Sequence, residues 1–500
     1  MDDEHRCAGA LQGVSALAGE GPIGDLDGCF RFIDWLAEAG MTTWQILPLC
    51  PPDEFGSPYS SWSTLSGDPA LIGLHWLRTI GLLASDQTLP ATISCDYEQV
   101  KTEKLPLVLQ AATRLLAEGE HRLATALSDF LSTASWALDA ARFHVARRVY
   151  DQLPWWAWPA EFRDRAPAAL HSFDQIHNHE IKVWQTALFL FERQWAAVAD
   201  HARARDVHLI GDMPIYVGLD SVDVWSHQSL FQLDRDFRPR AVAGVPPDAY
   251  SKTGQLWGNP LFDWDALAQT GYAWWIERIA RSLVHCQTIR LDHFIGFSRY
   301  WAVPADAPDA QGGQWVQGPG HCFFDALCKA FGDLPVIAED LGQVDAGTVA
   351  LRDAYKIPGM RVLQFGLDNV PGNIHHPSAY PQRVLAYSGT HDTTTAVGFW
   401  QQLSSQERLE LALGDTGEAA AVSMVDQVLG SAACWAIIPL QDLLVLGAES
   451  RLNTPGVQAG NWVWRHDADA LTLELARDLR KRIRQAGRLL PQAHGASGNG

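Results

Sequence analysis

Eight cysteines among 500 residues, at positions 7, 29, 50, 95, 286, 322, 328 and 434, make no C-x-x-C pair and no dense framework. This excludes a disulfide-stapled scaffold, and the residues read as reduced, buried small side chains. Basic residues are also scarce: 38 Lys and Arg stand against 58 Asp and Glu, a formal net charge of -20. That balance argues against electrostatic capture of nucleic acid or of an anionic membrane, and a neutral ligand fits better. The longest uncharged stretch, around Gln427 to Gln441, contains Gly430 and Pro439 and is too short and too polar to span a membrane. Met1-Asp2-Asp3-Glu4 is the wrong start for a secretory signal, so a cytoplasmic protein is expected. No glycine-rich loop of the P-loop or dinucleotide type occurs. His375-His376 and His177-Asn178-His179-Glu180 lack a spacing that puts several ligands on one element face, so neither metal nor cofactor is expected.

What the chain does contain is core material, 47% apolar against 19% charged residues, and 21 tryptophans, whose indole faces suit the apolar faces of sugar rings. Three short apolar runs end in acid: Gln287 to Asp292, Val336 to Asp340, and Leu385 to Asp392. A parallel barrel delivers carboxylates to one rim in this way. Eight β-rich segments alternate with helical patterns: Ala8 to Ser15, Thr42 to Leu49, Asp206 to Ile215, Gln287 to His293, Leu334 to Glu339, Met360 to Phe365, Val384 to Ser388 and Cys434 to Leu440. The pattern predicts an α/β protein, a (β/α)8 TIM barrel over residues 1–492. About 160 residues separate the second and third segments, far beyond one crossover helix, so a largely helical subdomain is predicted over 50–205. The Pro- and Gly-rich stretch 244–260 reads as an inserted active-site loop, and 493–500 as a disordered tail.

Two carboxyls facing each other across a sugar suffice to break and remake a glycosidic bond, and a third can hold the ring's hydroxyls. Arg290 and Asp292 are two apart, so an extended strand projects both to one side, where the arginine would hold the acid ionised and aimed, as a nucleophile requires. The same spacing also suits a structural ion pair. Of the adjacent acids Glu339 and Asp340 only one can turn inward, and parity alone does not say which. The inward one would need a dry pocket and a raised pKa to act as general acid. His391-Asp392 pairs a neutral donor with an acceptor, suited to gripping hydroxyls.

From Gly24 to about Arg465 the chain resembles the 4-alpha-glucanotransferases called amylomaltase or disproportionating enzyme, of the glycoside hydrolase family 77 type. The landmarks include Ser57-Pro58-Tyr59-Ser60-Ser61, Gly211-Asp212-Met213-Pro214, Gly244-Val245-Pro246-Pro247-Asp248, Gln255-Leu256-Trp257-Gly258-Asn259-Pro260, Arg290-Leu291-Asp292-His293-Phe294, Ala338-Glu339-Asp340-Leu341-Gly342, Gly389-Thr390-His391-Asp392, Pro439-Leu440-Gln441-Asp442, Asn453-Thr454-Pro455-Gly456 and Gly460-Asn461-Trp462. The resemblance implies that Asp292 is the nucleophile, Glu339 the general acid/base, and Asp392 the carboxylate on the 2- and 3-hydroxyls of the distorted ring. It further implies that Arg290 and His391 hold the nucleophile and the sugar at the cleavage subsite, that Asp212, an acid at the end of the third strand, and Asn461 bind substrate, that Tyr59 and Trp257 wall the groove, and that Pro246 and Asp248 lie on a loop overhanging it. The expected partners are malto-oligosaccharides and starch- or glycogen-derived glucans, with the protein a monomer or weak homo-oligomer. Two departures stand out. Gly13 to Gly19 replaces a His-Pro-Thr-Ser-Leu-Pro type segment, and Thr393-Thr394 replaces the usual Asn-Asp after His391-Asp392. An alpha-amylase-type hydrolase would share the three acids but reads Asp-x-x-x-Asn-His where this chain has Asp212 to Val217. A glycan-binding protein on a dead barrel would be expected to lose an acid or its arginine.

Overall fold

The computed structural model describes residues 6–119, 122–247, 251–368, 370–457 and 459–489. Asp248 and the stretch 493–500 lie outside the described residues. Twelve strands occur among those described: β1 (Cys7–Leu11), β2 (Thr43–Gln45), β3 (His208–Met213), β4 (Ala241–Val245), β5 (Gln255–Pro260), β6 (Thr288–Leu291), β7 (Arg299–Pro304), β8 (Gln314–Gln317), β9 (Val336–Ala338), β10 (Gly359–Val362), β11 (Val384–Tyr387) and β12 (Trp435–Pro439).

Eight of them form one parallel sheet in the order β10-β11-β12-β1-β2-β3-β6-β9, each matching one of the segments expected from sequence. The sheet curls into a (β/α)8 barrel, and its ends meet where the Ala338 amide donates to the Pro358 carbonyl at 2.9 Å. That seam has one backbone rung where the other strand pairs have ladders, and a side chain supplements it. Asp340 Oδ1 accepts from the Met360 amide at 2.7 Å, while Oδ2 is bonded by Arg352. Gly359 makes room for this, since a Cβ there would stand 2.4 Å from Asp340 Oδ2.

Period-two alternation sorts the strands' side chains between two cores. Ile210, Ile337, Met360, Val362, Leu385, Tyr387, Trp435 and Ile437 fill the barrel interior. Leu209, Ile289, Leu291, Val336, Ala338, Val384, Ala386, Ala436 and Ile438 face the helices. The helix Leu26–Ala39 is typical of that outer layer: Asp25 caps it by accepting from the Asp27 and Gly28 amides, Gly40 ends it at φ 75°, and Leu26, Cys29, Phe32, Ile33 and Leu36 are buried.

Between β2 and β3 the helices Leu105–Ala117, Ala124–Thr133, Ser135–Val149 and Pro167–Ile176 pack on the long helix Asn178–Ala204, which itself lies against Leu26–Ala39 and β3. One buried ion pair ties this layer to the barrel. Lys104 Nζ lies 3.2 Å from Asp25 Oδ2, both side chains being fully buried.

The segment 244–260 is not the loop expected. β4 and β5 form an antiparallel hairpin that joins β7 and β8 in a second sheet, ordered β5-β4-β7-β8, beside the barrel mouth. Gly254, Gly258 and Pro260 masked the strand pattern, because two of them sit at positive φ and the third cannot donate to a ladder.

Candidate active site

Strand parity decides what the sequence left open. Ile289 and Leu291 face outward, so Arg290 and Asp292 turn into the barrel. Val336 and Ala338 face outward, so Ile337 and then Glu339 turn inward. Asp340 is the outward partner that stitches the seam.

Arg290 organises the floor of the site. Its Nε and Nη2 bond Asp212 Oδ1 and Oδ2 at 3.0 and 2.7 Å, and Nη2 also reaches Asp292 Oδ1 at 2.9 Å. Tyr59, from the segment after β2, donates its hydroxyl to Asp212 Oδ2 at 2.7 Å. Burial, then the charge of Asp212, keeps that phenol protonated. Asp212 is therefore occupied on both oxygens, and its role here is to hold Arg290 and Tyr59.

Asp292 was expected to be held firmly ionised by Arg290. Burial outweighs the arginine, and Asp212 and Asp392 add to it, so the carboxyl is pushed up to about 6. Arg290 gives two of its three bonds to Asp212, which leaves one for Asp292. Glu339 is raised further, well above the carboxylate range, first by burial and then by the charge of Asp292. Its Oε2 accepts from the His293 amide at 2.8 Å and its Oε1 from the Leu341 amide at 3.1 Å. The backbone next to one acid thus holds the other. In this pair Glu339 keeps the proton and Asp292 gives it up first.

Asp392 stands opposite in charge behaviour. Burial opposes its ionisation, but His391 Nε2 at 3.2 Å and Asn453 Nδ2 at 2.6 Å hold it well below the usual range. His391 is raised in turn: Asp392 overcomes the burial that works against its charge. The side chain of Asp392 remains 42% exposed against 25% for Asp292, so it is the more open of these two acids toward solvent. Arg451 also donates to the Asp392 carbonyl at 2.5 Å.

The aromatic residues fall around this floor. Tyr59 stacks on His391 with centroids 5.2 Å apart and on Trp462 at 5.5 Å. Trp257, on β5, meets the His293 ring edge-on at 4.8 Å. Pro246 follows β4 at the start of the hairpin tip, and the neighbouring Pro247 carbonyl accepts from Gln343 Nε2 at 3.2 Å, which ties that tip to the loop after β9. Asn461 differs from the expectation of a sugar-binding amide. Its Oδ1 takes the Thr454 amide at 2.9 Å and its Nδ2 bonds the Val457 carbonyl at 2.7 Å, so both functions are spent shaping its own loop. Asn453, Arg451 and Trp462 are the site residues that sequence reasoning did not single out. The motif Asn453-Thr454-Pro455-Gly456 was visible, but no local spacing links it to Asp392, 61 residues earlier.

The arrangement suits glycosyl transfer through a protonated and an ionised carboxyl, with a third acid for hydroxyls. Comparison with known proteins agrees. The sequence profile described as 4-alpha-glucanotransferase, glycoside hydrolase 77, matches residues 13–470. The chloroplastic/amyloplastic 4-alpha-glucanotransferase of Arabidopsis thaliana is 41% identical over 473 residues, covering 93% of this chain and 82% of its own. The 4-alpha-glucanotransferase of Synechocystis is 40% identical over 480 residues, with 94% and 95% covered. The solved amylomaltase from Streptococcus agalactiae, in complex with acarbose, superimposes with a TM-score of 0.92 at 33% identity, over 97% of this chain and 99% of that one.

Proposed function

Since the chain belongs to the glycoside hydrolase 77 family of 4-alpha-glucanotransferases, we propose that its transfer reaction runs through Asp292, Glu339 and Asp392. The enzyme moves alpha-1,4-glucan segments from a donor to the 4-hydroxyl of an acceptor glucan or glucose, by the retaining route of its family. Asp292 attacks the anomeric carbon while Glu339 protonates the departing oxygen, leaving a beta-linked glucosyl-enzyme. Glu339, now a base, takes the proton from the acceptor's 4-hydroxyl, which displaces Asp292 and restores both acids. Asp392, ionised and open to the cleft, holds the 2- and 3-hydroxyls of the distorted ring. The observation that carries this reading is the inward placement of Asp292 and Glu339 side by side: Arg290 bonds Asp292 at 2.9 Å, the amide of the next residue, His293, holds Glu339 Oε2 at 2.8 Å, and the charge of Asp292 adds to the burial that raises Glu339.

Transfer outcompetes hydrolysis when the acceptor gains more from orientation than water gains from concentration. Our candidates for that orientation and for excluding water are Tyr59, stacked on His391, Trp257, edge-on to His293, and the segment that begins at Pro246. Maltotriose is the deciding substrate. Transfer yields glucose and longer oligomers with no rise in total reducing ends, whereas a rise in reducing ends would mark a hydrolase.

The substrates we assign are malto-oligosaccharides, including those released from starch or glycogen, with the protein acting as a monomer or weak homo-oligomer. A reducing, cytoplasmic setting is supported by eight cysteines that all remain free thiols. Non-reducing electrophoresis and thiol counting on freshly lysed cells test it, and eight reactive thiols after denaturation are expected.

A further inference from the structure

Behind the cleft, one buried carboxylate joins both ends of the turn that carries the third acid. Asp442 follows β12 in the motif Pro439-Leu440-Gln441-Asp442 and is 2% exposed. Its Oδ2 accepts from Ser388 Oγ at 2.6 Å, and its Oδ1 accepts from the Ala396 amide at 2.7 Å. Ser388 directly follows β11, and Ala396 opens the helix Ala396–Gln402. The seven residues between these two anchors thus include His391 and Asp392, with Asp392 at the centre.

No cation among the described residues shares this carboxylate; burial raises it to about 6, and only its two bonded donors lower it. A carboxylate buried with neutral donors alone is costly, so its presence is not explained by stability. The rest of the turn is held at other points. Asn453 and Arg451 grip Asp392 itself, and Gln364 Nε2 bonds the Thr394 carbonyl at 2.9 Å. Thr393 Oγ1 bonds only within the turn, and Thr394 Oγ1 is buried without a partner. Thr393-Thr394 therefore supplies no side-chain tie to the barrel, whereas the Asp442 side chain bonds both ends of the turn.

We infer that Asp442 is a positioning residue for Asp392: by bonding both ends of the turn 388–396 it sets where the Asp392 carboxylate stands against the donor sugar. This rests on Asp392 contacting that sugar. A misplacement of about 1 Å at such a contact can cost on the order of a hundredfold.

The test is a double-mutant cycle read by calorimetric binding of acarbose, which needs no turnover. Asp442→Ala is expected to weaken acarbose about tenfold or more when Asp392 is present, and less than about twofold in the Asp392→Ala background. Asp442→Asn keeps an acceptor for Ala396 and offers an amide donor to Ser388, so it is expected to bind within about threefold of the parent. Equal losses in both backgrounds, or an unchanged affinity in Asp442→Ala, would overturn the inference. Should Asp442→Ala fail to fold, Ser388→Ala removes one tie and must show the same dependence on Asp392; equal loss in both backgrounds again overturns it. If Asp392→Ala alone leaves acarbose affinity intact, Asp392 has no place at the donor sugar and the inference falls with that reading.

Discussion

At the scale of single residues, the chemistry rests on which of two neighbouring acids holds a proton. In the proposed mechanism, turnover needs Asp292 ionised and Glu339 protonated. Burial, opposed by Arg290, leaves Asp292 near 6, and Glu339 lies above it. As pH falls through about 6, Asp292 gains a proton and kcat/KM drops; as pH rises through the Glu339 value, the acid is lost and it drops again. A bell-shaped profile with its acid limb near 6 is expected from initial rates on maltotriose. Asp292→Asn and Glu339→Gln should each lower the rate by several orders of magnitude, measured against folded protein of unchanged thermal midpoint. Asn453→Ala removes a donor to a charged acceptor at 2.6 Å, a bond worth about 1.5 to 3 kcal/mol, so kcat/KM should fall roughly 10- to 100-fold. That Arg290 and Asp292 share one side of their strand was legible from spacing alone; that this side is the barrel interior was not. The choice between Glu339 and Asp340 followed from the family resemblance and not from strand parity, because parity depends on which neighbours of Ile337 meet the helices; the partnership of Asn453 with Asp392 depends on a contact made only in three dimensions.

At the scale of elements, the hairpin of β4 and β5 separates what a sequence shows from what it hides. The eight barrel strands announced themselves as short apolar runs bounded by turns and acids, since each is buried on both faces. The four strands of the second sheet did not: Gln255-Leu256-Trp257-Gly258-Asn259-Pro260 carries the punctuation of a loop yet pairs with Val242, Gly244 and Val245. Its placement beside the mouth gives Trp257 a rigid support and lets Gln343 hold the tip through Pro247. Replacing residues 246 to 254 by a short glycine turn should therefore raise the share of hydrolysis on maltotriose, read as reducing ends per glucose released. An unchanged ratio would remove the hairpin from the account of acceptor preference.

Across the whole molecule, the helical layer inserted between β2 and β3 is coupled to the barrel by the buried Lys104 and Asp25 pair. Asp25 also caps the helix Leu26–Ala39, so one carboxylate serves both layers. Lys104→Met leaves the Asp25 carboxylate buried without its cation, held only by the two amides it caps, and a loss of about 3 to 5 kcal/mol is expected from denaturant titration, with helix content and maltotriose products otherwise native. Loss of the insertion's structure without loss of the barrel's would show the two layers to be separable. The barrel itself is not uniformly hooped. Between β9 and β10 a lone rung and the Asp340 carboxylate stand where seven other junctions have ladders. Deuterium should accordingly replace the amide hydrogens of Ala338 and Met360 before those of β1 and β12, and the stave that breathes first is the one whose next residue is Glu339.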